Sequence, residues 1–284
     1  MPLTVIKRRD KDYLYFTMNG STRLYLGTSD KPKKERIKEA IRHLNGKIKK
    51  YEDEAQKLEA LLHGEAQEFD IKYKLVVFDL DGVIYDKPWH DIGSDDIAVS
   101  TWDVLFHELG VYNVHEKLKQ KYVKGDFKSY VKWTEAACNI LKSIGMDRKA
   151  FEDVISQRPF VHGSAEVFEM LRKKNVITAV ITGSFDALAQ RANKELGGID
   201  HIFAHCKLNF QSNGSLGSWE LHPTDYKDKV VFVRQIAKQH GIPLKQCVYI
   251  GDDVNDIPAF KEVGLSIAFN SSKLKVRQAA KAVI

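Results

Sequence analysis

The chain has 284 residues, 43% hydrophobic and 29% charged, a length that can bury one large core or two modest ones and a balance that excludes wholesale disorder. No apolar run approaches the roughly 20 residues that span a bilayer, and the start, Met1 to Arg9, lacks the apolar core of a secretory signal. The cysteines Cys138, Cys206 and Cys247 are odd in number and form no C-x-x-C pair, which disfavours a disulfide framework or zinc knuckle; a soluble, cytoplasmic protein with no membrane partner is expected.

The net charge of +6 is uneven. Residues 1–50 hold fourteen Lys/Arg against five Asp/Glu, a net +9, which leaves −3 for the rest. Residues 1–30 read as a small basic β-hairpin module: Asp12 to Thr17 and Arg23 to Leu26 are aromatic and aliphatic, with the turn signal Asn19-Gly20 between them. Residues 31–66 read as a long helix beginning near Pro32 and ending at Gly64. Its apolar positions Ile37, Ile41, Leu44, Ile48, Tyr51, Ala55, Leu58 and Leu62 alternate four and three apart, a coiled-coil-like stripe. Two readings stay open for it: a surface helix on the protein's own body, or a seam that pairs in an antiparallel hairpin or a homodimer through residues 37–62. Tyr13, Tyr15, Phe16 and Tyr25 among the basic residues would also suit a nucleic-acid partner, a reading that ranks below dimerisation with solvated lysines.

From residue 72 short β-branched runs appear at 75–78, 176–181, 248–250 and 265–269, most of them separated by helical stretches such as Ala165 to Lys174 and Lys229 to Gln239. Apolar strands alternating with helices predict an α/β fold with a parallel, Rossmann-like sheet covered on both faces. Residues 72–86 and 165–284 form this core, and 87–164, helical in pattern and without a strand, reads as an inserted lid. The segment Cys206 to Leu221, centred on Asn213-Gly214, predicts a hairpin.

Three strands run into polar residues, at the end of an open α/β sheet where ligands bind. The first leads to Asp79-Leu80-Asp81-Gly82, whose two carboxylates, two residues apart, can face one cleft. The second ends in Thr182-Gly183-Ser184-Phe185, and a later one in Gly251-Asp252-Asp253-Val254-Asn255-Asp256; Lys229 opens the helix before that last strand. Each element alone is weak, because Asp-x-Asp-Gly is common in turns and a helix lysine is usually solvated. A calcium loop is excluded, since glycine falls at position four rather than six and His90 stands at twelve. His201 and His205 flank a short apolar run and have no further ligands at zinc spacing. The ordered conjunction of acidic pair, hydroxyl-glycine, lysine and Gly-Asp-x-x-x-Asp is far more specific than its parts.

That conjunction resembles the haloacid dehalogenase superfamily over residues 72–284, and most closely its phosphoserine phosphatase-like branch. The resemblance implies a Rossmann-like core with a helical cap inserted after the first motif, and a phosphatase that uses an aspartyl-phosphate intermediate. It implies Asp79 as nucleophile, Asp81 as general acid and base, and Lys229, Thr182, Gly183 and Asn255 on the phosphoryl group. Mg²⁺ would be held by Asp79, the backbone carbonyl of Asp81, Asp252 and, through water, Asp256. Superfamily ATPases carry threonine at the position of Asp81, so Asp81 speaks for a phosphatase or, as an alternative, a phosphomutase. The chain departs from phosphoserine phosphatases at Val83 (threonine there) and Pro88 (a cap glutamate there), and no arginine lies between Asp86 and Met146 to hold a substrate carboxylate. The expected substrate is therefore a small phosphorylated metabolite, with phosphoserine unspecified. Trp89, Trp102, Trp133, Lys132 and Glu135 are the candidate cap-lining residues, though the tryptophans fit cap core better.

Overall fold

The computed structural model describes residues 3–8, 11–18, 22–28, 38, 72–87, 100–225 and 227–284. The chain divides into two units, Met1–Asp70 and Ile71–Ile284. In the first, β1 (Leu3–Arg8), β2 (Lys11–Met18) and β3 (Thr22–Thr28) form an antiparallel sheet in that order. The predicted hairpin strands fall within β2 and β3, where Phe16 pairs with Leu24, and β1 adds a third strand that places Leu3 opposite Phe16. The Asn19-Gly20 turn and the Ile37–Leu62 stripe lie outside the described residues.

The second unit is built on a seven-stranded sheet of β4 (Leu75–Phe78), β5 (Ile177–Phe185), β6 (His201–Phe210), β7 (Leu216–Leu221), β8 (Cys247–Gly251), β9 (Leu265–Ala268) and β10 (Ala282–Val283). The order is β10-β9-β8-β4-β5-β6-β7, parallel except for β7, which pairs antiparallel with β6 at one edge. The central strand shows why its sequence is apolar without alternation. Val76 and Phe78 enter one hydrophobic cluster and Leu75 and Val77 a second, so both faces are buried. The predicted hairpin is the β6–β7 pair, and Gly214 in its turn has φ +87°, a conformation that favours glycine.

Among the described residues, four helices follow β4 before residue 160: α1 (Thr101–Glu108), α2 (Tyr112–Val123), α3 (Tyr130–Ser143) and α4 (Arg148–Gln157). Then come α5 (Ser164–Lys173), α6 (Asp186–Glu195), α7 (Lys227–Gln239), α8 (Ile257–Phe260) and α9 (Leu274–Ala279). At the start of α1, Ser100 donates to Asp103 through both its N–H and its hydroxyl, at 3.0 and 2.8 Å. Burial alone would raise the Asp103 carboxyl, but the neighbouring His115 and Lys119 more than offset it and hold that carboxyl well below the usual range. The insertion meets the sheet through aromatic packing: the ring centroid of Phe185 lies 4.1 Å from that of Trp102 and 5.1 Å from that of Phe151.

His201 and His205 have separate partners, in keeping with the absence of zinc spacing. His201 Nε2 lies 2.7 Å from His240 Nε2. His205 is fully buried, with Nδ1 on the His222 carbonyl and Nε2 2.7 Å from Thr134 Oγ1. Burial lowers the His205 pKa to about 4. Neutral His205 therefore stabilises the fold fully above pH 6.5, and that contribution is lost as pH falls from 6.5 towards 4. The expected loss is on the order of 3 kcal/mol. Urea denaturation at pH 7 and pH 4.5 should show a smaller decline for His205→Asn than for wild type; equal declines would mean that another group titrates in this window.

Candidate active site

The polar residues gather at the carboxyl ends of β4, β5 and β8. Asp79 leaves β4 with its N–H on the Ile250 carbonyl, and its Oδ1 accepts the Leu80 N–H at 2.8 Å. The chain then turns sharply: the Leu80 carbonyl takes the N–H groups of Ile84 and Tyr85, and Gly82 has φ +82°. A Cβ on Gly82 would also come 2.5 Å from Asp252 Oδ2, so both backbone sign and close approach require glycine.

Lys229, in the first turn of α7, is fully buried, its Nζ 2.9 Å from Asp79 Oδ2 and 2.7 Å from Asp256 Oδ1. Asp256 also accepts the Tyr249 hydroxyl at 2.9 Å on Oδ1 and the N–H groups of Asp252 and Asp253 at 3.0 and 3.1 Å on Oδ2. This side chain folds back over Gly251, where a Cβ would meet its Cγ at 2.3 Å. Four donors on one carboxylate make Asp256 the post that holds both the lysine and the loop carrying Asp252. Burial alone would lower the Lys229 ammonium, but Asp256 and Asp79 more than offset it and hold it well above the usual lysine range. Burial likewise pushes the Asp79 carboxyl up, with Lys229 opposing. Asp252, 2.9 Å from Lys87 Nζ, is raised to about 7, again chiefly by burial.

On β5, Thr182 Oγ1 accepts the Ser184 N–H at 3.1 Å, and the Gly183 carbonyl takes Tyr130 Oη at 2.9 Å and Trp102 Nε1 at 3.2 Å. Asn255 Nδ2 donates to Asp225 Oδ1 at 2.6 Å. Asp81 is held by the insertion: Thr101 donates its hydroxyl at 2.5 Å and its N–H at 3.2 Å, and Arg158 Nη2 approaches to 3.5 Å while donating to the Asp86 carbonyl at 2.7 Å.

Of the eight residues singled out from the sequence, Asp79, Asp81, Thr182, Gly183, Asp252 and Asn255 line one cavity of about 80 Å³. Lys229 and Asp256 lie beneath its floor, in contact with Asp79 or with the Asp252 loop. Of the candidate cap-lining residues, Trp102 reaches the cavity. Trp133 packs in the core of the insertion, and Lys132 pairs with Glu135 on the surface, because a residue three positions along an exposed helix face is the nearest partner. Trp89 lies outside the described residues. Ser100, Tyr130, Ser184 and Asp225 line the cavity and were not anticipated, nor were Thr101, Arg158 and Tyr249 as their supports.

Asp79, Asp252 and Asp256 offer carboxylate oxygens that lie within 4.8 Å of one another, all buried. Oxygen-only donors at this density suit a hard divalent cation, whose charge would relieve the burial that pushes Asp79 and Asp252 up.

Comparison with known proteins places the stretch of chain that carries this site in a recognised group. Residues 73–264 match a hydrolase family described as haloacid dehalogenase-like hydrolase. A phosphoserine phosphatase of Archaeoglobus fulgidus is 26% identical over 206 residues, 72% of this chain and 55% of that protein, so the chain spans little over half of that relative's length. One from Methanocaldococcus jannaschii is 27% identical over 198 residues, 70% of this chain and 86% of that protein. A solved phosphoserine phosphatase, determined as an analogue of its phospho-aspartyl intermediate, superposes with a TM-score of 0.60 at 27% identity, over 75% of this chain and 93% of that one.

Proposed function

The chain belongs to the haloacid dehalogenase-like hydrolases, and on that premise we propose that it is a metal-dependent phosphatase that hydrolyses a small phosphomonoester through an aspartyl-phosphate on Asp79. The observation that carries this reading is the meeting of Asp79 and Asp81 in one cavity, with Lys229 Nζ 2.9 Å from the Asp79 carboxylate. A carboxylate oxygen of Asp79 attacks phosphorus in line, the bond to the leaving oxygen breaks, and Asp81 delivers its proton to the departing alkoxide. Asp81 then takes a proton from the water that attacks the acyl phosphate, which frees phosphate and regenerates Asp79. Thr101 and Arg158 orient Asp81 for both transfers. Lys229, Thr182, the Gly183 N–H and Asn255 stabilise charge on the phosphoryl oxygens.

Asp79, Asp252 and the backbone carbonyl of Asp81 would hold Mg²⁺, with Asp256 acting through water. When bound, the ion supplies the positive charge that lets a carboxylate approach a phosphate dianion. The four helices of 87–164 serve as the cap that closes over this site. For the first unit, the four-three spacing of residues 37–62 supports self-association, and the net +9 of residues 1–50 is the ground for a weaker nucleic-acid reading. Among the described residues no helix is long and apolar enough to cross a membrane. The three cysteines are free and buried, which favours a reducing, cytoplasmic setting.

The test is turnover of p-nitrophenyl phosphate with Mg²⁺ by wild type and Asp81→Asn. This leaving group needs little acid assistance, so the variant should form the intermediate better than it hydrolyses it. The fraction of protein trapped as phosphoenzyme should rise as turnover falls. A variant that hydrolyses its acyl phosphate at the wild-type rate would remove Asp81 from the mechanism.

A further inference from the structure

Resting on the nucleic-acid reading of the first unit, and independent of the phosphatase site, we propose that one face of the β1–β2–β3 sheet binds single-stranded RNA. Its tyrosines serve as platforms for bases and its cations take the phosphates. The register assigns the faces, because residues directly opposite one another share a face and successive residues alternate. Tyr13, Tyr15 and Tyr25 fall on one face together with Arg8, Lys11 and Arg23. Within it Tyr15 stands opposite Tyr25, Arg8 opposite Lys11 and Arg23 opposite Thr17. The other face takes Leu3, Val5, Leu14, Phe16, Met18 and Leu24, and its one cation, Lys7, is opposite Asp12. One face is thus apolar with its charges matched, and the other holds three tyrosines, three cations and no acidic residue among the described strands.

An antiparallel sheet commonly gives one face to a core, and burial favours the apolar one. The tyrosine face is therefore the one left for a partner, and its charge says which kind. Like charges directly opposite destabilise a strand pair, so Arg8 and Lys11 are a cost that an anion on their face relieves. The net +9 of residues 1–50 draws a polyanion to the same unit. The aromatic pattern narrows the polyanion to an unpaired strand. Tyr13 lies two residues from Tyr15, about 7 Å along the strand, and Tyr15 faces Tyr25 across it, which makes a sequence-tolerant stacking surface for successive bases. A duplex keeps its bases stacked on one another and has no free ring faces to offer. Thr4, opposite Tyr15, and Thr17 add hydroxyl residues to this face, a match for ribose 2′-OH groups that both donate and accept; hence RNA over DNA.

The full chain is titrated against a fluorescently labelled oligouridylate, with oligodeoxyuridylate and the oligouridylate–oligoadenylate duplex as competitors, and anisotropy is read across a salt series. The single-stranded RNA should bind about fivefold more tightly than its deoxy counterpart, the worth of about one hydrogen bond, and more tightly than the duplex. Tyr15→Leu and Tyr25→Leu should each weaken binding by about tenfold with little change in salt dependence, and Tyr15→Phe, which keeps the ring, should restore most of it. Replacing Arg8, Lys11 and Arg23 together with glutamine should lower the slope of log affinity against log salt by about 2, whereas Lys7→Gln, on the other face, should leave it within about 0.3 of wild type. Circular dichroism monitors folding, and if a leucine variant misfolds, the glutamine triple against Lys7→Gln decides. Binding that the tyrosine and cation variants leave unchanged, or DNA or duplex bound as tightly as the single-stranded RNA, overturns the inference while the nucleic-acid reading stands. No binding of any of the three at low salt overturns both.

Discussion

Asp79→Asn should lower phosphatase turnover by at least about 10⁴-fold, because removal of a nucleophile leaves only binding and electrostatics to act on the substrate. The amide is nearly isosteric with the carboxylate but forms no anhydride with phosphorus. The fold should survive. Burial pushes the Asp79 carboxyl up, which means that the folded protein is destabilised by ionising it at neutral pH, and an amide removes that penalty. Lys229 keeps Asp256 as its partner at 2.7 Å, so no buried ammonium is stranded. In metal-free buffer the variant should therefore melt at the wild-type temperature or above it. Wild-type turnover in a correctly folded Asp79→Asn would end the covalent mechanism, and a large drop in melting temperature would show that Asp79 is needed structurally.

Lys229→Met is expected to damage both activity and stability. The ammonium is fully buried between two carboxylates, and its removal leaves Asp79 and Asp256 facing each other without a cation. Breaking a buried pair from one side typically costs about 3–5 kcal/mol. For a domain of this size that is a fall in melting temperature of about 10 °C. Loss of one electrostatic donor at the phosphoryl group should reduce kcat by a further factor of about 10² to 10³. The two effects separate experimentally. Calorimetry of the metal-free protein reads the stability loss, and turnover below the variant's own melting temperature reads the catalytic one. A Lys229→Met protein as stable as wild type would mean that the two carboxylates take up protons at no cost, and one with wild-type kcat would remove Lys229 from the phosphoryl site.

The central strand and the motifs that follow it were legible because their physical cause is local. Leu75 to Phe78 is apolar at every position since both of its faces are buried, and such a run ends where the chain must meet solvent or ligand, at Asp79. The same logic marks Thr182-Gly183 after β5 and Gly251-Asp252 after β8 and yields the α/β class, whereas Lys229, in the first turn of a helix, stood out only within the ordered conjunction that resembles the family. Glycine at 82 and 251 belongs to the same local code, although the atoms that exclude a Cβ there, on Asp252 and Asp256, came only with the coordinates.

The wall of the cavity was not legible, for a reason that lies in where its residues reside. Ser100 is an ordinary helix start, Tyr130 an aromatic in the first turn of α3, and Thr224-Asp225 a short polar link before α7, so each has a sufficient local explanation. Nothing in periodicity tells that Tyr130 and Trp102 converge on the carbonyl of Gly183, 53 and 81 residues away. Arg158 is a still clearer case: it sits just past a helix end and meets Asp81 from 77 residues away. The local pattern of strands and turns determined the chemistry that the chain can perform. What surrounds those residues was decided by packing the insertion against the strand ends, where long-range contacts, and not local propensity, bring Trp102, Tyr130 and Arg158 to the site.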